Sequence, residues 1–245
     1  MPPWHENESF WCTMEPFIFP RARFEAAEDE IERVLALTGI EGGAVLDIGC
    51  GPGRHSVALA KRGFEVTGVD VTPCLLRRAK ELARSEGLEV EWILADMREF
   101  VRPAGFDLVI SMFTSFGYFD TAEENERVLG NFRESLRPGG ACVVDVIGKE
   151  VLARVFEPTA ATTLEGSAVV FERREVARDW SRMHVVWTLV DGDRATHFEL
   201  DHAIYSAQEL KDRLRHAGFS SVACHGNFDG DRYGPDAQRL VALAR

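Results

Sequence analysis

The stretch from Val45 to Gly63 constrains the fold of this chain more than any other. It begins with an apolar run ending at Ile48, passes through a glycine-rich turn over residues 49–53, and continues with apolar residues at helical spacing. A short apolar run bounded by glycines indicates a buried parallel strand, and the residues after it indicate a helix packed back on that strand. A turn with almost no side chains lets backbone N–H groups approach a ligand closely. The stretch therefore predicts a cofactor loop of the nucleotide-binding type.

The spacing of the glycines distinguishes between cofactors. A dinucleotide loop has the pattern Gly-x-Gly-x-x-Gly, but Arg54 occupies the position of its third glycine. Asp47, at the end of the strand, would repel a phosphate-rich ligand and attract a cationic one. S-adenosylmethionine carries positive charge on its sulfonium and amino groups, so the pattern favours S-adenosylmethionine over NAD.

Residues 45–70 resemble the first motif of the class I S-adenosylmethionine-dependent methyltransferases, and later motifs extend the resemblance to about Asp145. The turn Leu-Arg-Pro-Gly-Gly over residues 136–140, just before a strand, belongs to the same pattern. The resemblance implies an α/β fold with a doubly wound, seven-stranded, mostly parallel sheet whose last strand is reversed. It also implies a small-molecule type of enzyme that binds S-adenosylmethionine at the strand ends.

Acidic residues at two further strand ends extend the predicted cofactor site. Asp70 lies about twenty residues past the loop, where an acid can accept the ribose hydroxyls; alternatively, it is a turn residue before the helix that Pro73 opens. Asp96 and Met97 match the family position that reads the adenine edge, although a solvent-facing loop acid would look the same. The predicted cofactor-binding residues are Asp47, Gly49, Cys50, Gly51, Arg54, Asp70, Val71, Asp96, Met97 and Met112.

Catalytic residues are harder to predict because methyl transfer depends mainly on positioning the donor and the acceptor. A base is needed only when the acceptor arrives protonated. The candidates are Tyr118, in the loop 113–119, and His184 and His202, in strand-like runs. The alternatives are that Tyr118 caps its loop and that the histidines are satisfied or face solvent. No tight ligand spacing among His184, His197, His202 and Asp201 supports a metal site, so none is predicted.

Four segments follow from the order of these patterns. Residues 1–40 form an aromatic arm and a helix over 23–37, and the arm either packs on the body or closes over the acceptor. Residues 41–160 form the cofactor-binding half. Residues 161–205 form an antiparallel insertion of three runs, about 162–177, 181–190 and 195–205, with a hairpin turn at 191–193. Residues 206–245 supply a helix and the last two strands.

Composition limits the partners and the compartment. A chain of 245 residues with 45% hydrophobic content can fill one sizeable core. The net charge of −12 argues against nucleic acid and anionic membranes as partners, and the Asn/Asp-Pro-Pro-Tyr motif of base methylation is absent. Five scattered cysteines without a Cys-x-x-Cys pair indicate free thiols in a reducing cytoplasm. The sequence has no apparent leader and no apolar run long enough to span a bilayer.

Transfer of a methyl group from S-adenosylmethionine to a small-molecule acceptor is the function that these patterns favour, in a cytoplasmic monomer or homodimer. One alternative is an NAD(P)-dependent oxidoreductase on a similar sheet, which the glycine spacing disfavours. Another is a catalytically silent protein that binds S-adenosylmethionine. The sequence names neither the acceptor nor the acceptor atom.

Overall fold

A seven-stranded sheet forms the centre of the fold in the computed structural model, which describes residues 3–164 and 166–245. Its strands are β1 (Ala44–Ile48), β2 (Glu65–Asp70), β3 (Glu91–Leu94), β4 (Phe106–Ser111), β5 (Leu136–Val146), β10 (Val222–His225) and β11 (Leu240–Ala244). They lie in the order β10-β11-β5-β4-β1-β2-β3, and only β11 runs opposite to the other six strands. The predicted doubly wound sheet with a reversed last strand is confirmed.

Eight helices and one 3-10 turn accompany the strands in the described residues. The turn is Trp4–Glu6, and the helices are α1 (Glu8–Ile18), α2 (Arg21–Glu25), α3 (Ala27–Thr38), α4 (Arg54–Lys61), α5 (Pro73–Ser85), α6 (Ala122–Ser135), α7 (Lys149–Val155) and α8 (Ala207–His216). The predicted single helix over 23–37 is instead two helices that meet at Ala26. Helix α7 was not predicted. The capping box expected from Thr121 and Glu124 opens α6, because each side chain bonds the backbone N–H of the other residue.

The insertion forms a separate four-stranded antiparallel sheet. Its strands are β6 (Thr159–Thr163), β7 (Val169–Ala177), β8 (Arg182–Asp191) and β9 (Arg194–Ala203), paired in that order. The predicted run 162–177 was wrong as one strand, since its first two residues belong to β6, which pairs antiparallel with β7. The predicted hairpin turn is confirmed, with Asp191 opposite Arg194 and Gly192 at a φ of 56°.

The order of the strands places a crevice next to β1. Strands β2 and β4 flank β1 on opposite sides, so the chain changes winding direction between them. In open parallel sheets, ligands bind at such a switch point beyond the carboxyl ends of the strands. The ends of β1, β2 and β4 therefore define where a cofactor site should lie.

The N-terminal arm, residues 3–25, packs between the two sheets. Phe10 and Met14 are 1% and 0% exposed and belong to one apolar cluster with Met183 and Val185 of β8. A disulfide joins Cys12 of α1 to Cys74 of α5, with 6.2 Å between the Cα atoms. The expectation that all five cysteines are free is therefore wrong for this pair. Its members are separated by 62 residues, and only the packing of α1 on α5 brings them together.

No helix in the described part of the chain is both long and apolar enough to cross a membrane.

Candidate active site

A cavity lies at the switch point, and the empty space in it and at its mouth amounts to about 910 Å³. The ends of β1, β2 and β4 form its floor, and residues of the N-terminal arm cover it. Of the ten predicted cofactor-binding residues, the cavity wall contains Gly49, Cys50, Gly51, Arg54, Asp70, Val71, Asp96, Met97 and Met112.

The glycine turn after β1 adopts a conformation that side chains would prevent. Gly49 and Gly51 have φ values of 71° and 55°, in the left-handed region. A Cβ on Gly49 would lie 2.8 Å from the Cβ of Ser115, and one on Gly51 would lie 3.1 Å from the ring of Phe19. The turn therefore exposes backbone to the cavity while the arm lies directly over it.

Asp70, at the end of β2, holds this turn in place. One carboxylate oxygen accepts the N–H of Gly51 at 2.8 Å, and the other accepts the N–H of Thr72 at 2.8 Å. Burial raises the pKa of Asp70, while these two hydrogen bonds oppose that rise. The carboxylate faces the cavity and retains lone pairs with which it can accept ribose hydroxyls.

Asp96 also lines the cavity, but its carboxylate already has a cationic partner. The Arg98 guanidinium contacts it at 2.5 Å, and the backbone N–H of Arg98 donates to it at 2.7 Å. Hydrogen bonds from Arg98 hold the pKa of Asp96 below its usual value despite burial. Arg98 also contacts Glu6 at 2.9 Å, which ties the arm to this end of the cavity.

Asp47 lies behind the turn rather than in the cavity wall. It is 2% exposed and accepts a 2.6 Å hydrogen bond from the hydroxyl of Ser56 in α4. Burial raises the pKa of Asp47 to about 6. Asp47 does not line the cavity. Its charge therefore affects a bound cofactor by long-range electrostatics and not by direct contact.

Arg54 also lines the cavity, and one of its guanidinium nitrogens lacks a hydrogen-bond partner among the described residues. It is 5% exposed and pairs with Glu30, which also bonds the ring of His55 at 2.8 Å. Nη2 of Arg54 is buried and has no hydrogen-bond partner in the described protein. Arg23 of the arm lines the same cavity, so two guanidinium groups converge there.

These features fit S-adenosylmethionine. The glycine turn leaves room for close backbone approach, and the Asp70 carboxylate is placed to accept hydroxyl groups. Within the described part of the chain, the unpartnered Nη2 of Arg54 is a free hydrogen-bond donor, and the carboxylate of a methionine moiety can accept from it.

A second, aromatic cavity, here called the acceptor chamber, opens beside the first. It lies between the arm, α7 and the second sheet. It shares five wall residues with the cofactor cavity: Trp11, Ile18, Arg23, Phe113 and Tyr118. These five residues form the boundary between the two cavities, so the two sites are direct neighbours.

The three predicted catalytic residues lie in different environments. Tyr118 lines both cavities, and burial raises its pKa, so its hydroxyl stays protonated. His202 lines the acceptor chamber. His184 lies between Met183 and Val185, whose side chains pack toward the arm, so its ring points to the opposite face of the sheet. The structure thus brings together Tyr118 and His202 but not His184.

Several wall residues were not predicted from the sequence. His5, Trp11, Ile18, Phe19 and Arg23 reach the cofactor cavity from the arm. The aromatic content of residues 1–24 suggested a covering segment, but no periodicity indicates which side chains point inward. Phe113 has a φ of 55°, which no sequence pattern marked.

Comparisons with known proteins agree with this geometry. Residues 45–140 match the family model described as a methyltransferase domain. The chain is 29% identical over 192 residues to the dTDP-3-amino-3,4,6-trideoxy-alpha-D-glucopyranose N,N-dimethyltransferase of Streptomyces venezuelae, covering 77% of this chain and 79% of that protein.

Two solved structures share the fold. An S-adenosylmethionine-dependent methyltransferase from Clostridium acetobutylicum ATCC 824 matches with a TM-score of 0.77 and 16% identity, over 97% of both chains. The sugar N-methyltransferase KedS8 from Streptoalloteichus sp ATCC 53650 matches with a TM-score of 0.73 and 22% identity, over 94% of this chain and 91% of that one. The glycine turn, the strand-end acids and the methyltransferase domain over residues 45–140 confirm the predicted resemblance to the class I S-adenosylmethionine-dependent methyltransferases.

Proposed function

We propose that the protein methylates a small molecule held in the acceptor chamber. The observation that carries this proposal is the junction of the two cavities at five shared residues. Aromatic side chains, among them Phe10, Phe17 and Trp187, wall much of the chamber. A chamber enclosed between an arm and a sheet suits a compact acceptor, and the net charge of −12 disfavours nucleic acid.

Each part of the cofactor is assigned to the residues whose chemistry suits it. We assign Asp70 to the ribose, Asp96 with Met97 to the adenine, and Arg54 with Arg23 to the carboxylate of the methionine moiety. When bound, S-adenosylmethionine supplies a methyl group that its positive sulfur makes electrophilic. The protein's contribution is then to align the acceptor and to exclude water.

His202 is our candidate for the general base. Its Nδ1 lies 3.1 Å from the carbonyl oxygen of Ala203, and because a carbonyl only accepts, Nδ1 carries the proton. Nε2 is then a free acceptor. Burial lowers the pKa of His202, which keeps the ring neutral near pH 7. Tyr118 keeps its proton and can hydrogen-bond the acceptor, so we assign it a positioning role.

An amine is the first acceptor class to test. The Streptomyces venezuelae relative is named for N,N-dimethylation of an amino sugar nucleotide. An amine is protonated at neutral pH and needs a base before transfer, which is consistent with a neutral histidine in the chamber. We further propose that the enzyme acts in the cytoplasm as a monomer or homodimer. In that compartment Cys12 and Cys74 would be reduced.

The test of the cofactor site is calorimetric titration with S-adenosylhomocysteine. We expect the wild type to bind and Asp70→Asn to bind roughly tenfold to a hundredfold more weakly, because charged hydrogen bonds are lost. Quenching of NADH fluorescence by the protein would instead support an oxidoreductase. Absence of binding by the folded wild type would refute the assignment.

The test of the acceptor site is turnover. We expect a panel of small amines to contain a substrate whose mass rises by one methyl group, and we expect His202→Asn to lower kcat by about a hundredfold or more. His184→Asn is the matched control, since it changes the same residue type on the other face of the same sheet. Equal loss in both variants would refute the role of His202. Cofactor binding without turnover on any panel would favour the catalytically silent alternative.

A further inference from the structure

His5 is a buried histidine whose ring nitrogens have no hydrogen-bond partner in the described part of the chain. It lies in the 3-10 turn Trp4–Glu6 and is 7% exposed. Both ring nitrogens are buried and have no hydrogen-bond partner in the described protein. The nearest carboxylate, that of Glu6, is 3.7 Å from Nε2, beyond hydrogen-bond distance.

Packing alone does not account for a histidine at this position. The ring meets Phe119 edge to face at 5.2 Å and Trp4 at 5.7 Å, contacts that a phenylalanine would also make. A buried polar group without a partner costs about 1–3 kcal/mol. Buried polar groups in native proteins are nearly always satisfied, so the missing partner calls for an explanation.

The surroundings of His5 indicate what that partner is. The residue lines the cofactor cavity. Arg98 contacts both the neighbouring Glu6, at 2.9 Å, and Asp96, at 2.5 Å. This bridge places His5, the neighbour of Glu6, near Asp96, which is assigned to the adenine.

We propose that His5 is a cofactor-binding residue that hydrogen-bonds the adenosine half of S-adenosylmethionine. The proposal rests on the cofactor site assigned above. A neutral imidazole offers one donor and one acceptor, and adenosine presents both kinds of group on its ribose and its base. The arm would thereby add a hydrogen bond of its own to the bound cofactor.

The experiment compares His5→Phe with the wild type by calorimetry, using S-adenosylhomocysteine and 5′-methylthioadenosine as probes. Phenylalanine keeps the ring and removes both nitrogens. We expect affinity for both probes to fall by roughly threefold to tenfold, the size of one hydrogen bond. The melting temperature without ligand should stay level or rise, because the unsatisfied nitrogens are gone. His5→Gln, which keeps a donor and an acceptor, should regain part of the affinity.

The outcomes separate this proposal from the one on which it rests. Failure of the wild type to bind S-adenosylhomocysteine would refute the cofactor site itself. Wild-type binding with equal affinity in His5→Phe, or a lower melting temperature without an affinity change, would mean that His5 is only structural. Loss for S-adenosylhomocysteine alone would place His5 at the methionine half and overturn the proposal. His184→Phe, on the far face of the second sheet, should change neither quantity.

Discussion

Phe113 is the most constrained residue between the two cavities. Its backbone and that of Thr114 have φ values of 55° and 63°, a region that non-glycine residues rarely enter. The carboxylate of Asp145 accepts the N–H of Phe113 at 2.7 Å and also pairs with Arg239. The guanidinium groups of Arg54 and Arg239 lie 4.1 Å and 4.5 Å from the centre of its ring. Backbone strain of this kind persists where several surrounding contacts hold the residue in place, and it is common at functional sites.

Asp145→Asn is expected to destabilise the protein by about 3–5 kcal/mol, because it leaves the charge of Arg239 uncompensated. Asp145 is fully buried, whereas the Arg21–Glu25 pair in α2 is largely exposed. Glu25→Gln therefore serves as the control and should cost less than about 1 kcal/mol. Urea denaturation measures both values. Similar losses in the two variants would contradict the role assigned to Asp145.

Asp47 should make stability depend on pH. Its pKa rises from 3.8 in the unfolded chain to about 6 in the fold, so the folded state holds the proton more tightly. Stability contributed by this group is therefore lost as pH rises from about 4 to about 6.

Asp47→Asn removes the ionisation and can still accept the hydrogen bond from Ser56. The stability gain of the variant should be near zero at pH 4 and about 2–3 kcal/mol at pH 8. Denaturation at both pH values measures it, with the exposed Asp179→Asn as a control that should show no such trend. A gain that is constant with pH would contradict the raised pKa.

At the residue scale, the sequence predicted the site residues that lie at the ends of strands but few of the others. Asp70, Asp96 and the glycines follow strands whose order a motif defines, so their meeting in one cavity was foreseeable. Asp47 precedes the turn, and burial of its carboxylate against Ser56 depends on how α4 packs. His5 and Arg23 come from the arm, where no periodic pattern shows which side faces the cavity.

Among the elements, the arm matters most for function. Helix α1 packs on the second sheet, and its Trp11 and Ile18 line both cavities. The disulfide from Cys12 to Cys74 attaches α1 to α5, which begins three residues after Asp70. The disulfide therefore helps to hold the arm over the cofactor site.

Cys12→Ser should lower the free energy of unfolding by about 2–4 kcal/mol under non-reducing conditions, because the disulfide closes a long loop in the unfolded chain. With dithiothreitol present, the variant and the wild type should differ little. Cys224→Ser, at a half-buried free thiol, should show no such dependence on reductant. Alkylation of all five cysteines in the denatured but unreduced protein would show that the disulfide does not form.

The elements of the main sheet were predictable because each strand is a distinct apolar run bounded by turn residues. The second sheet was predicted only in outline. The single predicted run 162–177 overlooks the turn signal of Gly166 and Ser167, which lie between β6 and β7 and have φ values of 86° and 77°. Helix α7 is short and has no capping side chain at Gly148, so its sequence lacks the signals that predict the start of a helix.

For the molecule as a whole, ligand binding and stability are linked. S-adenosylhomocysteine at one hundred times its Kd should stabilise the folded state by about 2.7 kcal/mol. For a chain of this length that corresponds to a rise in Tm of roughly 5–10 °C. Differential scanning fluorimetry measures it, and NAD at the same concentration should leave Tm unchanged. A larger rise with NAD would contradict the assignment of the cofactor.

The five residues shared by the two cavities have a consequence for repeated methylation. Because α1 lines both cavities, a displacement of α1 that releases the spent cofactor would also open the acceptor chamber. An amine that takes two methyl groups would then leave between the two transfers and return as a new substrate. On an amine that takes two methyl groups, transfer should therefore be distributive, with the monomethyl product accumulating in solution before the dimethyl product appears.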